Sequence, residues 1–237
     1  MEERDLYRMI DQHEATVSMV FPALMRKVFS WMTLALVITG LTAYGVASNE
    51  SIMFSLYSSQ WVIFGLIALE LGLVIYLSAR IQKLSLTTAT VCFILFSVVN
   101  GLTLAPIFII YTGSSIAKVF FITAGTFAAM ALIGYRTKKD LSMIGRILIM
   151  ALIGLIIASL VNLFLKSSGL ELILSYVGVL IFVGLTAWDT QKIKLMLNQC
   201  EAPDEEAQKI ALLGSLTLYL DFINLFLYLL RIFGNRE

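Results

Sequence analysis

Four ionisable side chains stand where the sequence is otherwise apolar: Glu70, Arg80, Asp189 and Asp221. Asp221 is the lone charge between Lys209 and Arg231, a gap long enough to cross a bilayer. A carboxylate there is costly unless it faces protein or water, which makes it a site candidate by default. Asp189 follows a second apolar stretch and precedes Thr190, Gln191, Lys192 and Lys194. If the two acids meet, their chemistry is specific. Two close carboxylates cannot both ionise cheaply, so the pair shares a proton, and its protonation state controls how the two helices pack. Paired carboxylates in a wet path also suit transient Ca²⁺, which takes oxygen ligands. Arg80 closes an earlier apolar stretch. It can bridge to either acid as a latch partner, or simply anchor a helix end at the membrane surface. Glu70 lies between Leu69 and Leu71 in that same stretch. An acid at mid-bilayer costs about 2.5–3.5 kcal/mol, so Glu70 must turn inward or carry a proton. It is either a pore ligand or an acid bonded to a neighbouring helix.

The neighbours of Asp221 add to this. At helical spacing it shares a face with Gly214, Thr217, Asn224 and Tyr228. The other sides are mostly Leu, Ile and Phe. One polar stripe on an otherwise lipid-like helix fits a central helix lining a wet path. It also fits helix–helix contact through small and polar residues.

The elements that must position these groups follow from composition. Of 237 residues, 59% are hydrophobic and 14% charged, and the mean hydropathy is +0.89. A soluble domain carries roughly 25% charged residues, so this is a membrane protein. Its long, continuous, non-alternating apolar segments require helices rather than a barrel. The expected fold is all-α: seven transmembrane helices at about 28–48, 61–80, 86–111, 116–135, 144–165, 171–189 and 210–231. Residues 1–27 read as a polar N-terminal tail, 28–233 as one transmembrane domain, and 234–237 as a short C-terminal tail. The first 25 residues lack the apolar region of a signal peptide.

Several function classes lose support. The net charge of +1 gives no argument for nucleic acid. Cys92 and Cys200 read as free thiols, and His13 as a solvated residue. No Ser–His pair, metal cluster or phosphate loop is visible, so no enzyme and no cofactor is expected.

Short connectors make neighbouring spans antiparallel. Orientation follows from Lys and Arg. The tail and the links after spans two, four and six hold thirteen of these residues, whereas the opposite links hold Lys118 and Lys166. The N-terminus is therefore expected in the cytoplasm. Seven spans then put Arg231 and Arg236 outside, against the rule, which leaves a re-entrant last segment as an alternative. A start of span seven at residue 210 puts Asp221 about 16 Å deep, with Asp189 near the surface. The two meet only if span seven starts later or a vestibule dips inward; Gly214, Ser215 and Thr217 permit a later start.

Four segments carry a family resemblance: LMRKVFSWMTLALVITGLTAYGVA in span one, SVVNGLTLAPIF in span three, VGVLIFVGLTAWDTQKIK in span six and ALLGSLTLYLDFINLFLYLLRIFG in span seven. In content and order the chain resembles the bacterial branch of the Bax inhibitor (TMBIM) family of multi-pass membrane proteins. The resemblance implies a seven-helix fold with the last helix central, in the bacterial inner membrane. It implies a pH-sensitive Ca²⁺ leak, with Asp189 and Asp221 as gate and pH sensor and Arg80 as latch partner of Asp189. Glu70 matches an acid of the permeation path more loosely. The C-terminus lacks a basic extension found in some animal members, so functions tied to that extension are not carried over.

Three readings result. The first is a proton-gated Ca²⁺ leak, whose partners are the bilayer, calcium and protons. The second is a regulatory membrane protein that binds a membrane protease or another complex through its N-terminal tail without conducting ions. The third, an intramembrane aspartyl protease, lacks its Gly-x-Gly-Asp motif, because Leu218, Tyr219 and Leu220 precede Asp221.

Overall fold

The computed structural model describes residues 3–200 and 202–235, with side chains from Val20 onward among them. All regular structure among these residues is helical. The helices are α1 (Glu3–Ala47), α2 (Glu50–Tyr57), α3 (Gln60–Arg80), α4 (Leu86–Leu104), α5 (Ile107–Ile110), α6 (Gly113–Arg136), α7 (Ser142–Leu165), α8 (Ser168–Leu197) and α9 (Glu205–Phe233). Seven stretches are long and apolar enough to cross a membrane: Val20–Ala47, Gln60–Lys83, Leu86–Ile110, Gly113–Arg136, Ser142–Leu165, Ser168–Leu197 and Glu205–Phe233.

The last helix is the core. α9 packs against α1, α4, α6 and α8, and 67% of its apolar window is buried. For α3 and α7 that share is 6%, so these two helices lie at the periphery, α3 against α4 and α7 against α8. α9 is one unbroken helix of 29 residues, long enough to cross fully rather than turn back. Its ends are built for the helix dipole. Asp204 caps the start, accepting from the Ala207 N–H at 2.8 Å. Glu205 and Glu206 occupy the first turn and Arg231 the last, the charge order the dipole favours.

Four differences from the sequence expectation matter. First, α1 runs as a single helix from Glu3 to Ala47, so the expected tail and the first span share one helix. Second, α2 fills the link after the first span. Third, the span expected at 86–111 breaks at Ala105–Pro106. Pro106 has no N–H to donate and its ring opposes a continuing helix; α5 then resumes the direction for one turn. Fourth, α8 does not end at Asp189. It continues two turns to Leu197, and α9 starts at Glu205, not 210.

Those two extra turns of α8 are held by polar contacts. Gln191 accepts from the Leu141 N–H at 2.9 Å and donates to the Lys139 carbonyl at 2.8 Å. Lys194 donates to the Tyr135 carbonyl at 2.8 Å. The turn between α6 and α7 is thereby clamped to α8. At the same end, Glu205 of α9 accepts from the Leu86 N–H at 3.0 Å and pairs with Lys209 at 3.0 Å.

Candidate functional site: a carboxyl pair between the last two helices

Close approaches set the register of α8 against α9. A Cβ on Gly214 would sit 3.1 Å from Ile193, and one on Gly178 would sit 2.7 Å from the Tyr228 ring. These contacts place Asp189 level with residues 217 and 218 of the antiparallel α9, one turn from Asp221. Side chains of an α-helix lean toward its own N-terminus. In antiparallel neighbours the two leans are opposed, so Asp189 and Asp221 tilt toward each other and close the offset. Their carboxyls lie within hydrogen-bonding reach of one another.

The structure therefore brings the pair together by a route other than those expected. Asp189 is not at a surface and α9 does not start late. α8 continues past Asp189, and the pair is buried: Asp189 is 7% exposed and Asp221 4%.

Few donors serve these carboxyls. Oδ2 of Asp221 is buried and has no hydrogen-bond partner among the described residues. The nearby hydroxyls are committed to their own helices. Thr186 donates to Phe182 O, Thr190 to Thr186 O, Ser215 to Ala211 O and Thr217 to Leu213 O, at 2.7–3.1 Å. Lys192 acts electrostatically on Asp189, and its ammonium lies 5.2 Å from the Trp188 ring centroid. Trp188 in turn occupies the space beside Gly145 of α7, where a Cβ would collide with the indole.

The other expected site residues fall in different places. Arg80 is exposed at the end of α3, and among the described residues no ion pair joins it to Asp189 or Asp221. Glu70 makes no hydrogen bond to either aspartate among the described residues. It accepts from Asn100 Nδ2 at 3.2 Å, and Thr103 beside it donates its hydroxyl to the Val99 carbonyl at 3.2 Å. Of the polar stripe, Gly214 and Tyr228 face α8, while Thr217 and Asn224 bond their own helix at Leu213 and Leu220. The Tyr228 ring stacks on Phe182 with centroids 5.9 Å apart, and Arg231 lies over it.

Sequence reasoning did not single out Tyr219 or Thr39. Tyr219 is fully buried on α9. Its hydroxyl donates to Asn100 Oδ1 at 2.9 Å and lies 2.7 Å from Thr39 Oγ1. The signal was available: a tyrosine and a threonine inside apolar spans need partners for their hydroxyls.

The pair offers four carboxylate oxygens at most, against the six to eight that Ca²⁺ takes. Among the described residues no group of three or more His, Cys, Asp or Glu side chains could hold a metal ion. A calcium ion passing here would have to keep several of its waters.

The comparisons agree with this architecture. A family model described as "Inhibitor of apoptosis-promoting Bax1" matches residues 22–237. The chain is 53% identical over 214 residues to the inner membrane protein YbhL of Escherichia coli, covering 90% of this chain and 92% of that one. It is 46% identical to an uncharacterised protein of Rickettsia prowazekii, covering 90% and 89% of the two chains. A membrane protein of Streptococcus pyogenes is 36% identical over 189 residues, covering 80% and 81%. A seven-helix membrane bundle closed around its last helix, matched by this family along nearly its whole length, is a member of the Bax inhibitor family.

Proposed function

We propose that this protein is a pH-sensitive calcium leak of the membrane, gated by the carboxyl pair Asp189–Asp221. One observation carries the reading: two buried carboxyls face each other across the most extensive helix contact in the bundle, with one oxygen unpartnered. While the pair shares a proton, the two carboxyls hold α8 and α9 together. When that proton leaves, two like charges face each other in a low-dielectric site and repel. The gap that opens admits water, and with it a hydrated divalent cation drawn by the same charges. Glu70 then serves as a second acidic stop for the ion. Arg80 becomes a latch only if opening swings it toward Asp189. The protein lies in a bacterial inner membrane with its N-terminus in the cytoplasm, as the Lys and Arg distribution favours.

The test is Ca²⁺ uptake into liposomes over roughly pH 5 to 8, for wild type and Asp221→Asn. The expected result is flux that rises with pH in wild type and is indifferent to pH in the variant. Absence of flux from folded protein at every pH would reject the leak.

A second reading is supported by α1, which continues as a helix from Glu3, ahead of its apolar stretch. A regulatory protein could dock a membrane protease or another complex on that extension without conducting ions. Deleting residues 1–20 would then abolish the regulation, whereas the leak reading expects flux to survive.

A further inference from the structure

A hydrogen-bonded chain crosses the bundle apart from the aspartate pair. It runs from Glu70 on α3 to Asn100 on α4, then Tyr219 on α9, then Thr39 on α1, and ends at the Ser97 carbonyl of α4. Its distances are 3.2, 2.9, 2.7 and 2.8 Å. Thr39, Ser97 and Tyr219 are all buried. Glu70 stands in the middle of α3, and no ion pair joins it to Lys or Arg among the described residues.

The protons in this chain can be counted. With Glu70 ionised, Asn100 gives an amide hydrogen to Glu70, and its oxygen takes the Tyr219 hydroxyl hydrogen. Thr39 then has one hydrogen for two contacts, Tyr219 at 2.7 Å and the Ser97 carbonyl at 2.8 Å. One of the two is left without a proton.

With Glu70 protonated the count closes. Glu70 donates to the oxygen of Asn100, whose amide has turned half a revolution, a change nearly isosteric for Asn. Asn100 donates to Tyr219, Tyr219 to Thr39, and Thr39 to the Ser97 carbonyl. Each contact now has one hydrogen, and leaving a buried polar contact unmade is costly.

We propose that Glu70 is a proton-binding site, and that the proton it takes up reverses the hydrogen bonds from Glu70 through Asn100 and Tyr219 to Thr39. Bound proton completes the chain that ties α9 to α1 and α4. Release leaves Thr39 short of one bond and loosens α9 on that side. The groups that face Glu70 are Tyr57 on α2, Asn100 and Thr103 on α4, and Tyr219 on α9. Tyr57 does not compete for the chain, because its hydroxyl donates to the Leu102 carbonyl.

Infrared pH-difference spectra of the full chain in nanodiscs, with ring-labelled tyrosine, test this. A protonated-carboxyl C=O band and a tyrosine C–O band should titrate together in wild type. Glu70→Gln, whose amide donates as the protonated acid does, should lose the tyrosine change and the carboxyl band that titrates with it. Tyr219→Phe should lose the tyrosine change and keep the carboxyl band. Asp221→Asn should keep the tyrosine change and the carboxyl band that titrates with it, which separates this site from the aspartate pair and needs no ion flux. A tyrosine change that persists in Tyr219→Phe, or an Asp221→Asn spectrum whose carboxyl band titrates without a tyrosine change, would overturn the proposal. If Glu70→Gln does not fold, the wild-type and Tyr219→Phe spectra still decide it.

Discussion

The ring of Tyr228 fills the place where a side chain on Gly178 would begin, 2.7 Å from the position of its Cβ. This contact, on the partner helix about two turns beyond Asp221, fixes how far α8 has slid along α9. It therefore sets whether Asp189 and Asp221 can lean onto each other. The ring cannot easily step aside, because it already stacks on Phe182.

Gly178→Ala should be destabilising by about 1–3 kcal/mol, the usual cost of overpacking. Gly154 on α7 is the matched control, since a Cβ there would meet nothing within 4 Å. Gly154→Ala should be neutral or slightly stabilising, because Ala is favoured over Gly inside a helix by roughly 0.8–1.0 kcal/mol. Thermal unfolding of both variants in the same detergent checks the pair; equal losses would mean that the close approach at Gly178 is not a constraint.

Asp221→Asn should leave the fold at least as stable as wild type. Oδ2 of Asp221 is a buried acceptor without a donor, and an amide of the same shape can donate to Asp189. Asp189→Ala should do the opposite, leaving Asp221 without its partner at a cost of about 1–3 kcal/mol or more. Melting temperatures of the two variants side by side give the comparison, and a larger loss in Asp221→Asn would count against the pairing.

Tyr219→Phe removes one oxygen and keeps the ring, which meets Phe93 and Phe96 edge-on. The expected loss is about 1–3 kcal/mol, since Thr39 and Asn100 each lose a buried partner. Tyr219→Ala also empties the ring's space and should cost about 3–5 kcal/mol. The ratio of the two, read from unfolding in one membrane mimic, separates the hydroxyl from the packing.

Cys200 lies in the turn between α8 and α9. Burial pushes its thiol above the ordinary value of 9.0, with Asp204 and Glu206 adding to the rise. The thiolate is the reactive form, so alkylation should be slow at neutral pH and should still be accelerating as the pH passes 9.0. In a Cys92→Ala background this thiol also reports topology. With the N-terminus in the cytoplasm, an impermeant maleimide should label Cys200 in inverted vesicles and spare it in intact cells. Labelling from outside intact cells would reverse the orientation.

Much of the bundle was legible in the sequence, for a simple reason. Seven apolar stretches must each become a helix, because a bilayer offers backbone groups no other partner. Asp221 was legible as a site candidate because a charge is rare in such a stretch, and the polar step after Asp189 marked the sixth span. The end of α8 was misplaced because the polar residues after Asp189 looked like a water-facing link. Gln191 and Lys194 instead spend their polarity on the Lys139 and Tyr135 carbonyls, so the helix continues inside the protein.

What the sequence by itself determined is therefore the number of spans, their apolar character and the identity of the acids within them. These are local properties, set by side-chain transfer energies along the chain. Which acids meet was decided by tertiary structure alone. Asp189 reaches Asp221 because glycines let α8 and α9 approach at one register and the two helices lean opposite ways. Glu70 reaches Tyr219 through an asparagine on a third helix. Neither partnership has a spacing in the sequence, because each depends on how three or more helices pack at once.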